Sequence, residues 1–113
     1  QLVEIDRCRT IFEKQLQVFP RLANSWTSYG EFETALGENE RARSLFKLAT
    51  QTDIDMPEKV WKAFIDFEIG QGENLRVKQL YEQLILKSQH VKVWISYATW
   101  LFNVNKKERD AAR

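Results

Sequence analysis

Apolar residues recur along this chain at intervals of three and four rather than in alternation. Trp61, Phe64 and Ile65 stand at i, i+3 and i+4, with Glu68 at i+7, and Val77, Leu80, Tyr81 and Leu84 follow at the same intervals. That spacing places each set on one face of an amphipathic helix and predicts no strand. The breaks agree with it. Gly37 and the run Gly70-Gln71-Gly72 fall where a first helix should end, because glycine enters the left-handed region without a Cβ clash. Asp55 and Glu58 read as a capping box around Pro57, a residue tolerated in the first helical turn. Helices are therefore expected over about 2–19, 22–36, 38–52, 57–70, 73–87 and 90–103, with another starting near 106.

The pattern is also periodic on a longer scale. Trp26, Trp61 and Trp94 lie 35 and 33 residues apart and open "WTSYGEFE", "WKAFIDFE" and "WISYATWL". An aromatic follows three positions on (Tyr29, Phe64, Tyr97) and another six on (Phe32, Phe67, Trp100). A second track, out of phase with the first, runs through "DRCRTIFE", "ERARSLFK", "LRVKQLYE" and "ERDAAR", with Arg7, Arg41, Arg76 and Arg109 spaced 34, 35 and 33 apart. Two tracks with one period define a repeat of two helices. A pair of that length cannot bury its apolar faces alone, so successive pairs must stack. The expected fold is all-α, a right-handed α-solenoid of antiparallel helix pairs forming one array over residues 1–113. Residues 1–20 supply the second helix of a partial repeat, 21–55 and 56–88 two repeats, and 89–113 the start of a further one. The nine aromatics of the first track are expected to be repeat core, with the three tryptophans in equivalent buried sites. Glu33 and Arg41 are expected to pair within one repeat, and Glu68 and Arg76 within the next. Leu101 replaces the glutamate in the third pattern, which leaves Arg109 without that partner.

The signature Trp-x-x-aromatic-x-x-aromatic-Glu, followed by Arg-Ala-Arg-like and Leu-Phe/Tyr-Glu-like segments, resembles the half-a-TPR, or HAT, repeat of RNA-processing scaffolds. At finer grain "MPEKVWKAFIDFE" and "QHVKVWISYA" are similar to the crooked neck family of pre-mRNA splicing factors. The resemblance implies a nuclear, non-enzymatic scaffold subunit of the spliceosome whose partners are other spliceosomal proteins. Other HAT proteins serve messenger 3′-end cleavage or ribosomal RNA processing, and these stay open as alternatives.

Composition narrows the chemistry. With 17 Lys and Arg against 16 Asp and Glu, no strong field draws the whole chain to nucleic acid or membrane. Residues 1–56 carry net −2 and residues 57–113 net +3, a small tilt. Direct RNA contact through Lys87, Lys92, Lys106 and Lys107, or through bases stacked on the Trp and Tyr ladder, is a second class of function. No membrane-length apolar run is visible. Gln1 in place of Met, and an end within an expected helix, read as a piece of something longer. One cysteine fits a reducing compartment. Cys8 lies on the stripe Ile5, Cys8, Phe12 and is expected to be buried as a small apolar residue rather than to act as a nucleophile. His90, the single histidine, offers no metal constellation with it and reads as a helix-start residue. Asp66 and Glu68, two apart, point to different faces and cannot share acid–base work. The Gly-x-Gly at 70–72 has no strand before it and reads as a turn rather than a phosphate loop. No catalytic group, cofactor, metal or small-molecule substrate is expected.

Overall fold

A computed structural model describes the backbone of residues 2–87 and 90–111 and the side chains of residues 4–87 and 90–107. Its helices are α1 (Leu2–Val18), α2 (Ala23–Ala35), α3 (Asn39–Gln51), α4 (Pro57–Gln71), α5 (Asn74–Lys87) and α6 (Val91–Ala111), and the described residues include no strand. The first five run within one residue of the ends expected from periodicity. Two compact units result, Gln1–Glu73 and Asn74–Arg113. In the first, α2 packs on α1, α3 and α4, and α3 also packs on α4; in the second, α5 packs on α6.

One turn geometry closes α2 and α4. Gly37 and Gly72 have φ of 79° and 74°, the left-handed region. Past each glycine the next N–H reaches back five residues, Glu38 N to the Glu33 carbonyl at 2.9 Å and Glu73 N to the Glu68 carbonyl at 3.1 Å. These six-to-one bonds satisfy carbonyls that a helix end leaves without partners. In the third repeat the corresponding position is Asn105, and no glycine or proline lies between it and Ala111. The expected break before a helix near 106 is absent there, and α6 runs unbroken for 21 residues. The side chain of Arg109 lies outside the described residues.

The capping box expected at α4 does not form either. Its N-cap is Met56, with no side-chain cap hydrogen bond. Asp55 is used elsewhere: the Ala23 N–H at the start of α2 donates to Asp55 Oδ1 at 3.0 Å, and Asp55 N donates to the Arg21 carbonyl at 2.9 Å. The loop before α4 thus caps the first turn of α2.

An aromatic wedge recurs in the core at the α1–α2, α3–α4 and α5–α6 junctions. Phe12 of α1 meets Tyr29 and Phe32 of α2 at centroid distances of 5.4 and 5.1 Å. Phe46 of α3 meets Phe64 and Phe67 of α4 at 5.7 and 5.6 Å. Tyr81 of α5 meets Tyr97 and Trp100 of α6 at 5.0 and 5.9 Å. Each wedge sits between two rings three positions apart, which face the same side of a helix. Phe46 also sets the approach of α3 to α2, since a Cβ on Gly30 would lie 2.5 Å from its Cζ.

The tryptophans do not occupy equivalent buried sites. Trp61 is buried. Trp26 is half-buried against Ala23, Ala49, Ile54 and Val60, and its Nε1 donates to the Pro20 carbonyl at 2.8 Å. Trp94 is 54% exposed. The cover over Trp26 comes from later in the chain, from α3, the loop after it and α4, and among the described residues no later helix does the same for Trp94. Phe32, Tyr97 and Trp100 are half-buried, and Tyr29, Phe64 and Phe67 buried. Cys8 is exposed, contrary to its expected burial, whereas Phe12, one turn on along the same stripe, stacks on Tyr29 of α2.

Trp61→Ala should cost about 3–5 kcal/mol in chemical denaturation, as for other large-to-small core changes, while Trp94→Ala in dilute solution costs under about 1. Ser25 yields a prediction of opposite sign. It is fully buried, its hydroxyl has no hydrogen-bond partner, and valine stands at its repeat equivalents 60 and 93. Removing an unsatisfied buried hydroxyl should raise stability, so Ser25→Val is expected to gain about 1 kcal/mol by the same measurement.

Candidate functional site

Glu33 and Glu68 close the aromatic pattern on α2 and α4, one turn before Gly37 and Gly72. Their carbonyls accept the turn bonds described above, and their side chains point inward, with the residues at 0% and 1% exposure. A carboxylate removed from water is costly unless hydrogen-bonded and paired. Each has such partners. Arg9 on α1 grips Glu33 at both oxygens, Nε to Oε2 at 3.0 Å and Nη2 to Oε1 at 3.0 Å. Arg41 on α3 adds Nε to Oε2 at 3.0 Å. Three helices therefore meet on one carboxylate. Arg43 on α3 grips Glu68 in the same bidentate way, Nε to Oε2 at 3.0 Å and Nη2 to Oε1 at 2.9 Å. It also reaches Glu40 at 3.3 Å and lies 5.5 Å over the ring of Phe67.

The surroundings reinforce these clamps. The hydrogen bond to Glu33 raises the pKa of Arg9, and that to Glu68 raises the pKa of Arg43, each against a smaller opposing effect of burial. Tyr29, one turn before Glu33, donates its hydroxyl to Glu13 at 3.2 Å. Burial pushes that phenol up, and a hydrogen bond from Arg41 pulls the other way. Beside it a hollow of about 320 Å³ is lined by Tyr29, Glu40, Arg41, Ser44, Leu45 and Leu48. With both oxygens held by guanidinium donors, these carboxylates fix helix positions.

The structure thus brings Arg41 to Glu33. Arg76 opens α5 and belongs to the second unit, whereas Glu68 belongs to the first. Sequence reading missed Arg9 and Arg43, which tie the second helix of one repeat to the first helix of the next across 24 and 25 residues. A signal was present: "DRCR" and "ERAR" carry a second arginine at the same 34-residue period as the first. The next register changes both partners together, with Lys78 for the arginine and Leu101 for the glutamate. The α5–α6 junction is left to the Tyr81 wedge and a 3.4 Å bond from the Tyr97 hydroxyl to Glu82.

Other candidates stay apart. His90 is exposed just before α6, and its carbonyl accepts from Val93 N at 3.1 Å. Asp66 is exposed while Glu68 is buried. Lys87, Lys92, Lys106 and Lys107 are exposed. Among the described residues no cluster of His, Cys, Asp and Glu is arranged to hold a metal, and no helix is long and apolar enough to cross a membrane.

Helix pairs of about 34 residues, joined by recurring wedges and clamps, define an all-α helical-repeat protein. The chain belongs to the family described as PRP39 C-terminal HAT repeat, which matches residues 52–113. It is 51% identical over 105 residues to pre-mRNA-splicing factor clf1 of Aspergillus fumigatus, covering 92% of this chain and 16% of that protein. It is 49% identical over 107 residues to crooked neck-like protein 1 of Mus musculus (94% of this chain, 16% of the relative). Over 112 residues it is 40% identical to pre-mRNA-splicing factor CLF1 of Yarrowia lipolytica (97% and 17%). The chain spans about a sixth of the length of these curated relatives.

The two arginines of α3 should behave differently. Arg43→Met takes the bidentate guanidinium away from a buried carboxylate and is expected to cost roughly 3 kcal/mol. Arg41→Met, at a side chain 50% exposed whose partner keeps Arg9, should cost under about 1 kcal/mol. Urea denaturation of the two variants checks the order, and a larger loss for Arg41→Met would contradict this account of the clamps.

Proposed function

We propose that this chain is part of a protein-interaction scaffold that acts in pre-mRNA splicing, in the nucleus, by holding other spliceosomal proteins at fixed separations. The observation that carries this reading is that relatives 40–51% identical over nearly the whole chain bear the names of splicing factors. The physical support is that helix registers are fixed by bidentate clamps on buried carboxylates, as a spacer between partners requires. The surrounding surface, including the hollow beside Arg41, is then the part free to meet partners.

One observation favours a second reading, direct RNA contact. Divided at the boundary between the two units, charge separates more than the half-by-half count suggested. Gln1–Glu73 carries nine Lys and Arg against thirteen Asp and Glu, net −4, and Asn74–Arg113 carries eight against three, net +5. A basic unit with exposed Lys92, Lys106 and Lys107 suits phosphate contacts.

Co-purification of the full-length protein should recover spliceosomal proteins. Recovery of cleavage or ribosome-biogenesis factors in their place would transfer the scaffold to another RNA-processing complex. Filter binding to single-stranded RNA across a salt series separates the second reading: steep loss of affinity with salt would establish phosphate contact, and no binding at low salt would leave the protein scaffold alone.

A further inference from the structure

Trp26, Trp61 and Trp94 put α2, α4 and α6 in one register frame, and two positions before each tryptophan a polar stripe begins. It runs at i, i+4, i+7 and i+11, along one helix face. On α2 it reads Asn24, Ser28, Glu31 and Ala35, and on α4 Lys59, Ala63, Asp66 and Gly70. On α6 it reads Lys92, Ser96, Thr99 and Asn103. Three residues further stand Glu38 and Glu73, past the turns that end α2 and α4, and Lys106, still inside the unbroken α6. This face stays open when neighbouring pairs are in place. α2 is followed by α4 and α4 preceded by α2, the two packing on each other within one unit. Even so, Asn24, Glu31 and Ala35 are exposed on α2, as are Lys59, Asp66 and Gly70 on α4. Exposure at these registers is therefore a property of the stacked repeat.

Charge is what changes along the series. The five registers carry two glutamates on α2, net −2. On α4 one lysine stands against Asp66 and Glu73, net −1, and on α6 Lys92 and Lys106 stand alone, net +2. Residues 91–107 contain no acid, and Lys107 adds a third cation beside the stripe. Between the lysines, Ser96, Thr99 and Asn103 present exposed hydroxyl and amide groups. From Lys92 to Lys106 the face is about 21 Å long, at about 1.5 Å per residue.

We infer that the Lys92–Lys106 stripe of α6 binds an RNA strand along its phosphodiester backbone, without regard to base sequence, and that the equivalent faces of α2 and α4 repel it. This rests on the RNA-contact reading above and adds to it the face and the chemistry recognised. Lysine, serine, threonine and asparagine are side chains that contact phosphate oxygens, and such contacts carry no sequence information. An acidic protein segment fits the stripe less well. Protein interfaces take most of their energy from buried aromatic, apolar or arginine anchors, and the stripe has none. Backbone phosphates need only cations and donors repeated along a line, and the reversal at Thr99 and Lys106 removes the acids that oppose them on α2 and α4.

Fluorescence anisotropy of a labelled oligouridylate of about 20 nucleotides, titrated with the 113-residue chain at about 25 to 200 mM NaCl, tests this. Log affinity should fall against log salt with a slope of about −2, from three lysines at about 0.7 each, and oligoadenylate should bind equally well. Lys92→Gln should make the slope shallower by about 0.7. Thr99→Asp combined with Lys106→Glu installs the residues of α4 at exposed registers, and should abolish binding while circular dichroism keeps the parent helix content. Lys59→Gln on α4 should leave affinity unchanged. Salt-dependent binding that survives both α6 changes would overturn this inference and leave the broader RNA reading standing, whereas no binding at low salt would overturn both. Equal affinity for a polyglutamate peptide, or a strong preference between the two oligonucleotides, would also overturn it.

Discussion

A glutamate that must leave water governs the junctions of the first unit. Glu33 and Glu68 have essentially no exposed surface, and a carboxylate in that position is tolerated only where donors surround it. The donors come from the preceding helix, through Arg9 and Arg43, and a bidentate guanidinium–carboxylate contact accepts little rotation or sliding. Replacing such pairs with apolar side chains is often neutral or stabilising in proteins, so the contribution of these pairs is better read as register than as net stability. The same two residues accept the backbone bonds that end α2 and α4. One residue thus ties the geometry of the turn inside a repeat to the geometry of the junction between repeats.

The junctions form a graded series around a constant wedge. Phe12, Phe46 and Tyr81 each lodge between two aromatics of the following helix, so apolar packing is common to all three. Polar definition is not. At α1–α2 one carboxylate takes donors from α1 and α3; at α3–α4 Arg43 grips the carboxylate and lies over Phe67; at α5–α6 Lys78 and Leu101 replace both members of the clamp. The double replacement is what burial physics requires. Arginine lost alone would strand a buried charge, whereas glutamate and arginine lost together leave a leucine that packs at the half-buried 101 position.

How much of this was legible follows from what a period does and does not encode. Helix ends and the aromatic wedge were legible because they depend on near neighbours in sequence: intervals of three and four, and a glycine at the turn. The clamp was half legible. Glu33 and Glu68 were singled out, but Arg7 and Arg9 both recur at the repeat period, and periodicity alone cannot say which one faces the glutamate of the following helix. Two positions apart on a helix is about 200° of rotation, so only one of them can, and Arg7 instead pairs with Glu4 on the surface of α1. The capping motif at Asp55 misled for a related reason. Its local spacing fits a box, yet the carboxylate serves Ala23, 32 residues earlier, a contact no local pattern contains. At position 105 asparagine lacks the conformational freedom of glycine, and the helix runs on.

Trp26, Trp61 and Trp94 show why register and environment are separate quantities in a repeat protein. One letter at one register is half-buried, buried and exposed in turn, and for Trp26 the cover includes residues of α3, the loop after it and α4. In stacked repeats each unit sees only its neighbours, so burial, and with it the energetic meaning of a residue, depends on the helices packed around it, as Trp26 is covered by Ala49 and Ile54 of its own repeat and by Val60 of the next. The consequence for function is specific. Residues that recur at the period carry junction geometry, and those that break the period at exposed registers are where one repeat's surface differs from the next. Val91, Ile95 and Phe102, large where Ala23, Thr27 and Thr34 are small, are such residues. On the proposed scaffold reading, recognition lies in these departures, while the recurring glutamates, arginines and wedge aromatics carry junction geometry.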